Sequence, residues 1–255
     1  MKLQVLGCAG GIGGRERLTT TLLVDDDVLL DAGTGLTSLD IEQLVRIDHV
    51  FITHCHLDHV AGLALLLDAV QGRKGGPVTV HATERVIASL KKHLFNWVLW
   101  PDFAVIPNPE NPTLRWEPID PHGSVEINGR IIHACPVNHT AGSSGYWMHN
   151  THAGFLFTGD MAATPEVWTM LANEKRLAKV IVDCSFANAD MEIAQRSLHF
   201  CPRSLLADIK SVPLSVEFLI YHLKPGHEDL IMQELRTEGG ARGFTALKCG
   251  DVFEF

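Results

Sequence analysis

Residues 54–59 read His-Cys-His-Leu-Asp-His, and they follow an apolar segment, residues 49–53, that is predicted to be a short buried strand. Side chains two residues apart on an extended segment point the same way, so His54 and His56 should share one face and Cys55 should pack on the other. Imidazole and carboxylate groups suit zinc, iron or manganese. Because catalytic loops commonly follow buried strands, this cluster predicts a metal site in preference to a solvated histidine loop.

The bulk composition limits the class of protein. The chain has 255 residues, of which 46% are hydrophobic and 20% charged, which favours one large domain, or a fused pair of similar halves, over a disordered chain. The formal net charge is −9 and no run of Lys and Arg occurs, so long nucleic acid is disfavoured as a partner. A small anionic substrate remains compatible, since bound divalent cations reverse the local charge.

The six cysteines are widely spaced and form no C-x-x-C pair, which indicates free thiols in a reducing compartment. The apolar run before Cys8 is too short for a signal sequence, and no apolar segment approaches the ~20 residues of a membrane span. We therefore expect a cytoplasmic location and no membrane partner.

Two halves of the chain show the same arrangement of polar residues at strand ends. The strand Val28 to Asp31 resembles the segment Phe155 to Asp160, and the strand Val50 to His54 resembles the strand Val180 to Asp183. We expect a single α/β domain, residues 1–255, with pseudo-duplicated halves of about 1–120 and 121–255. The two sheets would pack face to face with helices outside. Three of these helices are predicted at residues 37–46, 60–71 and 83 to about 99.

The H-x-H-x-D-H motif after an apolar strand resembles the signature of the metallo-β-lactamase superfamily. Later motifs match in the family's order: Asp31 in Asp-Ala-Gly, His139 in Val-Asn-His-Thr, Asp160 in Thr-Gly-Asp and His222 in Ile-Tyr-His-Leu. The resemblance implies a four-layer αββα sandwich and two divalent metal ions, zinc above all, with manganese or iron as alternatives. The implied metal ligands are His54, His56, Asp58, His59, His139, Asp160 and His222.

In this resemblance His54, His56 and His139 hold one metal, and Asp58, His59 and His222 hold the other. Asp160 and a hydroxide bridge the two ions. Asp31 is implied to orient a ligand without binding metal. Two residues compete for these roles in the sequence. His133 lies inside a predicted strand and is interpreted as packed, and His227 lies in a Pro-Gly turn, so His139 and His222 are preferred.

Residues 54–67 resemble, more narrowly, the signature of class II 3′,5′-cyclic-nucleotide phosphodiesterases, from which Asp68-Ala69 departs. Segments 93–102, 143–146 and 198–202 resemble further motifs of that family, the last one loosely. The implied substrate-binding residues are His93, Asn96, Trp100, Ser143 and Ser144. A plain turn at 143–144 and a helix packing face at 93–100 are the competing interpretations. Phe95, Trp97 and Leu99 would form that face or a subunit contact, and the apolar 94–100 segment favours a homodimer.

The implied reaction is hydrolysis of cyclic AMP or cyclic GMP to a nucleoside 5′-monophosphate. Two divalent cations give +4 and two carboxylates with a hydroxide give −3, so the site's net +1 suits a cyclic phosphodiester. The bridging hydroxide would attack phosphorus in line with the 3′ oxygen. Asp58, Asp160 and His199 are the candidate catalytic residues. The leaving oxygen would be protonated by His199, His222 or a metal-bound water.

Three alternatives remain open at this point. A ribonuclease Z-like tRNA-processing enzyme shares the metal set, but the acidic charge balance and the lack of a basic insertion oppose it. A lactonase or thiolesterase of the same superfamily would act on an acyl carbon. A catalytically silent scaffold would be expected to lose some of the seven ligands, all of which are present.

Overall fold

The structure is a computed structural model that describes residues 1–14 and 16–255. Its first sheet is built mainly from the first half of the chain. Six strands come in sequence order: β1 (Lys2–Gly7), β2 (Thr21–Val24), β3 (Val28–Leu30), β4 (His49–Phe51), β5 (Val78–Ala82) and β6 (Leu114–Pro118). A late strand, β14 (Val252–Glu254), pairs antiparallel with β1 at the sheet edge. The sheet order is therefore β14-β1-β2-β3-β4-β5-β6.

The second sheet follows from the second half of the chain. Its strands are β7 (Ser124–Ile127), β8 (Arg130–Pro136), β9 (Ser144–His149), β10 (Gly154–Phe157), β11 (Leu177–Asp183), β12 (Glu217–Tyr221) and β13 (Phe244–Ala246). They pair in the order β13-β12-β11-β10-β9-β8-β7. The chain passes from one sheet to the other between Pro118 and Ser124.

The two sheets repeat one pattern of strand directions. From β14 to β3, and again from β7 to β10, neighbouring strands are antiparallel. From β3 to β6, and from β10 to β13, they are parallel. This repetition confirms the prediction of two similar halves. The last strand departs from it, since residues 252–254 complete the sheet of the first half.

The helices lie outside the paired sheets. They are α1 (Ile41–Arg46), α2 (Leu57–Val60), α3 (Leu63–Val70), α4 (Glu84–His93), α5 (Pro165–Leu171), α6 (Met191–Ser197), α7 (Pro202–Asp208) and α8 (Glu228–Glu238), with 3₁₀ turns at Thr34–Ser38, Asn188–Asp190 and Ile209–Ser211. No helix in residues 1–14 and 16–255 is long and apolar enough to cross a membrane.

Three separate apolar clusters show the layers. One lies between the sheets and includes Phe51, Phe155 and Tyr221. Another packs α3 and α4 on the first sheet, and a third packs α5, α7 and α8 on the second. The central strands of both sheets thus bury both faces, as the four-layer αββα prediction requires.

Local chemistry breaks two predicted helices into shorter pieces. The segment 37–46 is a 3₁₀ turn followed by α1, because the Asp40 carboxylate caps α1 by accepting a hydrogen bond from the Gln43 amide at 2.8 Å. The segment 60–71 is divided at Gly62, whose amide donates to the Ala32 carbonyl at 2.8 Å. A Cβ at Gly62 would lie 2.5 Å from the Gly33 carbonyl oxygen, so only glycine permits this approach.

The predicted helix from Thr83 to about Leu99 is too long. Thr83 caps α4 as expected, but α4 ends at His93. The Asn96 carboxamide accepts hydrogen bonds from the Val98 and Leu99 amides, and Trp97 has a φ of 66°. An asparagine side chain that replaces the helical backbone acceptors turns the chain here.

Candidate metal centre

The candidate metal ligands come from four chain segments that meet at the carboxyl ends of strands in both sheets. His54 and His56 follow β4, and Asp58 and His59 lie in the short helix α2. The second half supplies His139 from the β8–β9 loop, Asp160 after β10 and His222 after β12. Strand ends of parallel sheets collect at one edge, so residues up to 168 positions apart reach the same site.

One carboxylate oxygen, Oδ2 of Asp160, lies at the centre of the cluster. The Nε2 atoms of four histidines surround it, at 3.7 Å for His54, 3.3 Å for His59, 3.9 Å for His139 and 3.2 Å for His222. Donor atoms of one tetrahedral ion with bonds of ~2.0–2.1 Å are separated by roughly 3.3 Å. The observed spacings therefore suit cations placed between Asp160 and the imidazoles.

Two groups of ligand atoms match those that the resemblance implied, and within each group the atoms lie within 4.8 Å of one another: His54, His56, His139 and Asp160 in one, and Asp58, His59 and His222 in the other. A third group at the same spacing joins His199 to Asp160 and His222. Buried Nε2 atoms of His54 and His59 have no hydrogen-bond partner among the described residues. An unpaired buried polar atom costs ~1–3 kcal/mol, and a metal ion in each group would remove that cost. The residues present thus fit two divalent ions.

In each buried candidate ligand histidine, Nδ1 is within hydrogen-bond distance of a neighbouring group. His59 Nδ1 donates to Asp31 Oδ2 at 2.7 Å, and His54 Nδ1 lies 3.0 Å from Thr53 Oγ1. In the second half, His139 Nδ1 donates to the Leu198 carbonyl at 3.0 Å, and His222 Nδ1 lies 2.7 Å from Ser185 Oγ. With Nδ1 engaged, each imidazole presents Nε2 to the centre in the tautomer that binds metal.

Asp31 serves several groups at once. Besides His59, it accepts hydrogen bonds from the amide and hydroxyl of Thr53, each at 2.8 Å. It also has a φ of 58°, and His222 has a φ of 61°, both in the left-handed region that such residues seldom adopt. Two strained residues within one cluster indicate that the surrounding contacts impose the site geometry.

Burial and neighbouring charges shift the pKa values of the candidate ligands. Burial opposes protonation of His59, but the carboxylates of Asp160 and Asp31 raise its pKa well above the ordinary value. Burial lowers the pKa of His54 well below its ordinary value, so this imidazole is neutral. Burial opposes ionisation of Asp160, yet His222 and His59 hold its pKa well below the usual range. Burial also opposes ionisation of Asp58, while the hydrogen bond from His222 lowers its pKa. Neutral imidazoles and ionised carboxylates are the forms that bind divalent cations.

His199, predicted as a catalytic candidate, lies beside the cluster. Its Nδ1 donates to Asp183 Oδ2 at 2.6 Å, and its ring stacks on His222 with centroids 5.0 Å apart. Ser185 Oγ donates to Asp183 Oδ1 at 2.7 Å, so Asp183 supports both histidines. Burial lowers the pKa of His199, but the Asp183 carboxylate outweighs it and raises the pKa overall.

The predicted substrate-binding residues are less well supported by their positions. His93 is exposed at the end of α4, Asn96 uses its side chain to turn the chain, and Trp100 packs against the outer core of the first sheet. In the described part of the chain, none of the three hydrogen-bonds to a candidate ligand. Ser143 Oγ lies 2.9 Å from Thr140 Oγ1 in a turn, and Ser144 is buried on β9. These positions favour the turn and packing interpretations.

Five residues of the site escaped sequence reasoning: Thr53, Asp183, Ser185, Tyr221 and Lys224. Tyr221 donates from its hydroxyl to Asp160 Oδ1 at 2.8 Å, which fixes that carboxylate from behind. Lys224 donates to the Gly10 carbonyl at 2.8 Å, beside His222. Asp183, Ser185 and Tyr221 do end apolar strands, so position at a strand end was the available signal, but strand-terminal polar residues are common.

Comparison with known proteins gives a consistent result. The family profile described as Beta-lactamase superfamily domain matches residues 27–222. A 3′,5′-cyclic-nucleotide phosphodiesterase from Schizosaccharomyces pombe is 29% identical over 184 residues, which cover 64% of this chain and 51% of that protein. A Ribonuclease Z from Staphylococcus saprophyticus is 27% identical over 157 residues, covering 57% of this chain and 48% of that protein. The chain thus spans about half the length of these two relatives.

Among solved structures, unliganded yeast PDE1 is similar, with a TM-score of 0.84, 17% sequence identity and coverage of 100% of this chain and 99% of that chain. Identity at this level establishes the shared fold and no more. The fold comparison therefore agrees with the four-layer sandwich read from the apolar clusters.

Proposed function

We propose, from the premise that this chain belongs to the β-lactamase superfamily, that it is a metal-dependent phosphodiesterase that hydrolyses 3′,5′-cyclic nucleotides to nucleoside 5′-monophosphates. The observation that carries the proposal is the convergence of four imidazoles on Oδ2 of Asp160, with Asp58 beside them. The similarity to a named cyclic-nucleotide phosphodiesterase supports the substrate class.

Two divalent cations, zinc above all and manganese or iron as alternatives, would occupy the two ligand groups with Asp160 between them. When bound, such a pair supplies an activated water nucleophile and stabilises the charge on the attacking and leaving oxygens. The role of the chain is to hold this pair rigidly. Asp31, Thr53, Ser185 and Tyr221 do so by fixing the ligands from behind.

Formal charge explains why an acidic protein would accept an anionic substrate. The cluster contains two ionised carboxylates, those of Asp58 and Asp160, against four positive charges from two divalent cations. A cyclic phosphodiester carries one negative charge, and its nonbridging oxygens would be drawn to the surplus positive charge. An uncharged lactone or thioester would be attracted less strongly to this surplus positive charge.

His199 is positioned to move the proton that the reaction requires. Nδ1 is committed to Asp183, so Nε2 is the atom that can face the leaving 3′ oxygen. Burial lowers the pKa of His199, but the Asp183 carboxylate raises it overall and so favours the protonated ring. A protonated imidazole held by a buried carboxylate is suited to general acid catalysis.

A second set of side chains borders the site near His199 and suits the rest of a nucleotide. The Phe186 ring is half-buried, with its centroid 5.9 Å from that of His199. The Lys224 ammonium lies 5.9 Å from the Phe186 ring centroid. An aromatic face can stack on a nucleobase, and an ammonium can pair with a phosphate. We place the base on Phe186 and a phosphate oxygen near Lys224.

The ribonuclease Z alternative is kept because three relatives have that name. Its substrate is also a phosphodiester, so the metal cluster alone suits both activities. The net charge of −9 disfavours a long polyanion, which needs several phosphate contacts along a basic surface.

The test is a substrate panel. Purified, metal-loaded protein is incubated with cyclic AMP, cyclic GMP, bis(p-nitrophenyl) phosphate, a lactone and a precursor tRNA. We expect 5′-mononucleotide from at least one cyclic nucleotide, and its loss when a chelator is added. Activity on the lactone or the tRNA without activity on either cyclic nucleotide would overturn the proposal. The variant Asp160→Ala serves as the inactive reference.

A further inference from the structure

Cys8 and Cys249 are neighbouring thiols in one apolar cluster, and neither is a candidate metal ligand. Cys8 follows β1, and Cys249 precedes β14, the strand that pairs with β1. Hydrogen bonds from the Gly250 amide to the Val5 carbonyl (2.8 Å) and from the Val5 amide to the Asp251 carbonyl (2.9 Å) hold the two segments together. Both cysteines pack in the cluster between the sheets, and both are free thiols. Cys8 is buried, whereas Cys249 is half-buried and so reachable from solvent.

The surroundings of Cys249 favour its thiolate. The Cys8 side chain and the backbone amides of Leu18 and Cys8 face the Cys249 sulfur. The contact with Cys8 is the largest cause that lowers the pKa of Cys249, to about 6. Burial, by contrast, raises the pKa of Cys55 to about 11 and that of Cys135 to about 12. Thiolates are the reactive form of cysteine, so Cys249 stands out from these two.

We propose that Cys249 and Cys8 form a redox site at which a hydroperoxide produces a reversible disulfide. The Cys249 sulfur attacks one peroxide oxygen, the O–O bond breaks, and the departing hydroxide takes up a proton to form water. Cys249 is then a sulfenic acid. The Cys8 thiol attacks its sulfur, an S–S bond forms, the S–O bond breaks, and a second water leaves. Two thiols and one hydrogen peroxide thus give one disulfide and two waters, and a dithiol reductant reverses the change.

The site is connected to the metal centre through the backbone of Cys8. The Cys8 carbonyl accepts the amide hydrogen bond of His222 at 2.8 Å, directly at a candidate ligand. The Cys8 thiol donates to the Leu247 carbonyl at 3.3 Å, a bond that a disulfide removes. A Cβ on the nearby Gly10 would lie 2.3 Å from the His222 carbonyl oxygen, so this region has no spare room. Movement of Cys8 would therefore displace His222, and oxidation should weaken metal binding.

The experiment treats the full chain with hydrogen peroxide, blocks remaining thiols with N-ethylmaleimide and maps the peptides by mass spectrometry. We expect a Cys8–Cys249 cross-linked peptide that dithiothreitol removes. Cys249→Ser should prevent the reaction, and Cys8→Ser should leave a sulfenic acid on Cys249 that dimedone captures. Cys55→Ser, which removes another half-buried thiol, should still form the cross-link. A peptide map without the cross-link, or with faster oxidation of Cys55, would overturn the proposal.

Two further readouts do not depend on hydrolytic activity. The rate of iodoacetamide labelling at Cys249 should rise as pH passes through about 6 and level off above it, because the thiolate is the reacting form. Release of zinc to a chelating dye should increase about tenfold or more on oxidation and return to its original level on reduction. If the cross-link forms but zinc affinity is unchanged, the connection to His222 is wrong. Neither result depends on which substrate the enzyme hydrolyses.

Discussion

Oδ2 of Asp31 accepts a hydrogen bond from Nδ1 of His59 at 2.7 Å, and neither side chain has any exposed surface. Removing this acceptor should loosen a ligand without deleting it. We expect Asp31→Asn to weaken zinc binding by about 10–100-fold, the usual effect of losing such a supporting contact. Competition with a chelating dye measures it. Asp26→Asn, on the exposed β2–β3 turn, is the matched control. Unchanged zinc affinity in a folded Asp31→Asn protein would show that Asp31 does not orient His59.

Asp160 is the one ligand that both metal groups approach. Asp160→Ala should lose metal and hydrolytic activity together, because the four surrounding imidazoles would face each other without the central negative charge. Elemental analysis and the cyclic-nucleotide assay measure the two quantities on the same sample. Asp68→Ala, an exposed carboxylate on α3, should retain both. Full turnover in Asp160→Ala would show that the ligand assignment is wrong, and active wild-type protein with well under two metals per chain would contradict the two-metal assignment.

His199 should matter most for substrates whose leaving oxygen needs a proton. We expect His199→Gln to reduce kcat for a cyclic nucleotide by about 10²–10⁴-fold, the range of general acid catalysis, with zinc content retained. The loss for bis(p-nitrophenyl) phosphate should be much smaller, since nitrophenolate leaves without protonation. His227→Gln, which changes an exposed histidine, is the control. Equal losses on both substrates would instead indicate that His199 only positions its neighbours.

The two sheets are also joined by an ion pair outside the site. Arg130, at the start of β8, donates to Asp27 on the β2–β3 turn through Nη1 and Nη2, each at 2.6 Å, and its side chain is 5% exposed. Asp27→Asn should lower the free energy of unfolding by about 1.5–3 kcal/mol. Asp48→Asn, which breaks the exposed pair with Lys74, should cost at most about 1 kcal/mol. Urea unfolding curves measure the unfolding free energy of both variants. Similar losses in the two would show that the Arg130–Asp27 pair contributes no more than the Lys74–Asp48 pair.

The same pair gives stability a definite pH dependence. Burial raises the pKa of Asp27, but the Arg130 guanidinium outweighs it and holds the pKa below the ordinary 3.8. The folded state therefore binds its proton less readily than the unfolded chain. The stabilisation is complete above pH 3.8 and is lost as pH falls through the lower pKa of the folded state. In Asp27→Asn this part of the fall in unfolding free energy at acid pH should disappear. If the unfolding free energy of the variant falls with pH as it does in the wild type, other carboxylates account for the fall.

The homodimer stays a prediction. Trp97, Val98 and Leu99 are 65%, 85% and 65% exposed on the bend after α4, where an apolar contact had been expected. Leu99→Glu should shift sedimentation toward the monomer, whereas Leu65→Glu, at a site 55% exposed on α3, should not. A wild-type protein that sediments as a monomer at all concentrations would show that this bend does not join two copies.

The sequence could indicate the candidate ligands because their signal is local or lies near a strand end. His54 to His59 are adjacent in the chain, Asp160 and His222 follow short apolar strands, and His139 lies in the loop after β8. The supporting contacts have no such signal. Tyr221 reaches Asp160 across 61 positions, and this depends on the register of three parallel strands, β10, β11 and β12. Pairing of β14 with β1 is likewise a contact between the two ends of the chain.

The predicted helix lengths were wrong for a different reason. The residues after α4, from Leu94 to Trp100, are apolar apart from Asn96, so composition favours a longer helix, yet the Asn96 side chain turns the chain by bonding to the next backbone amides. A side-chain oxygen competes with the backbone carbonyls for the amide hydrogen bonds of a single turn, and the spacing of apolar residues does not reveal which one accepts them. The substrate-binding expectations for His93 and Asn96 rested on a resemblance of motifs, and they stay predictions.

Asp160 belongs to the second sheet, while four of the ligands around it come from the segment that follows β4 in the first. Neither half of the chain can assemble a complete coordination set alone. Metal occupancy and docking of the halves are therefore thermodynamically linked, and free metal at 100 times its Kd would add about 2.7 kcal/mol to the unfolding free energy. Chelation should lower Tm as well as the rate of hydrolysis, so that Tm reports how much metal the protein has bound.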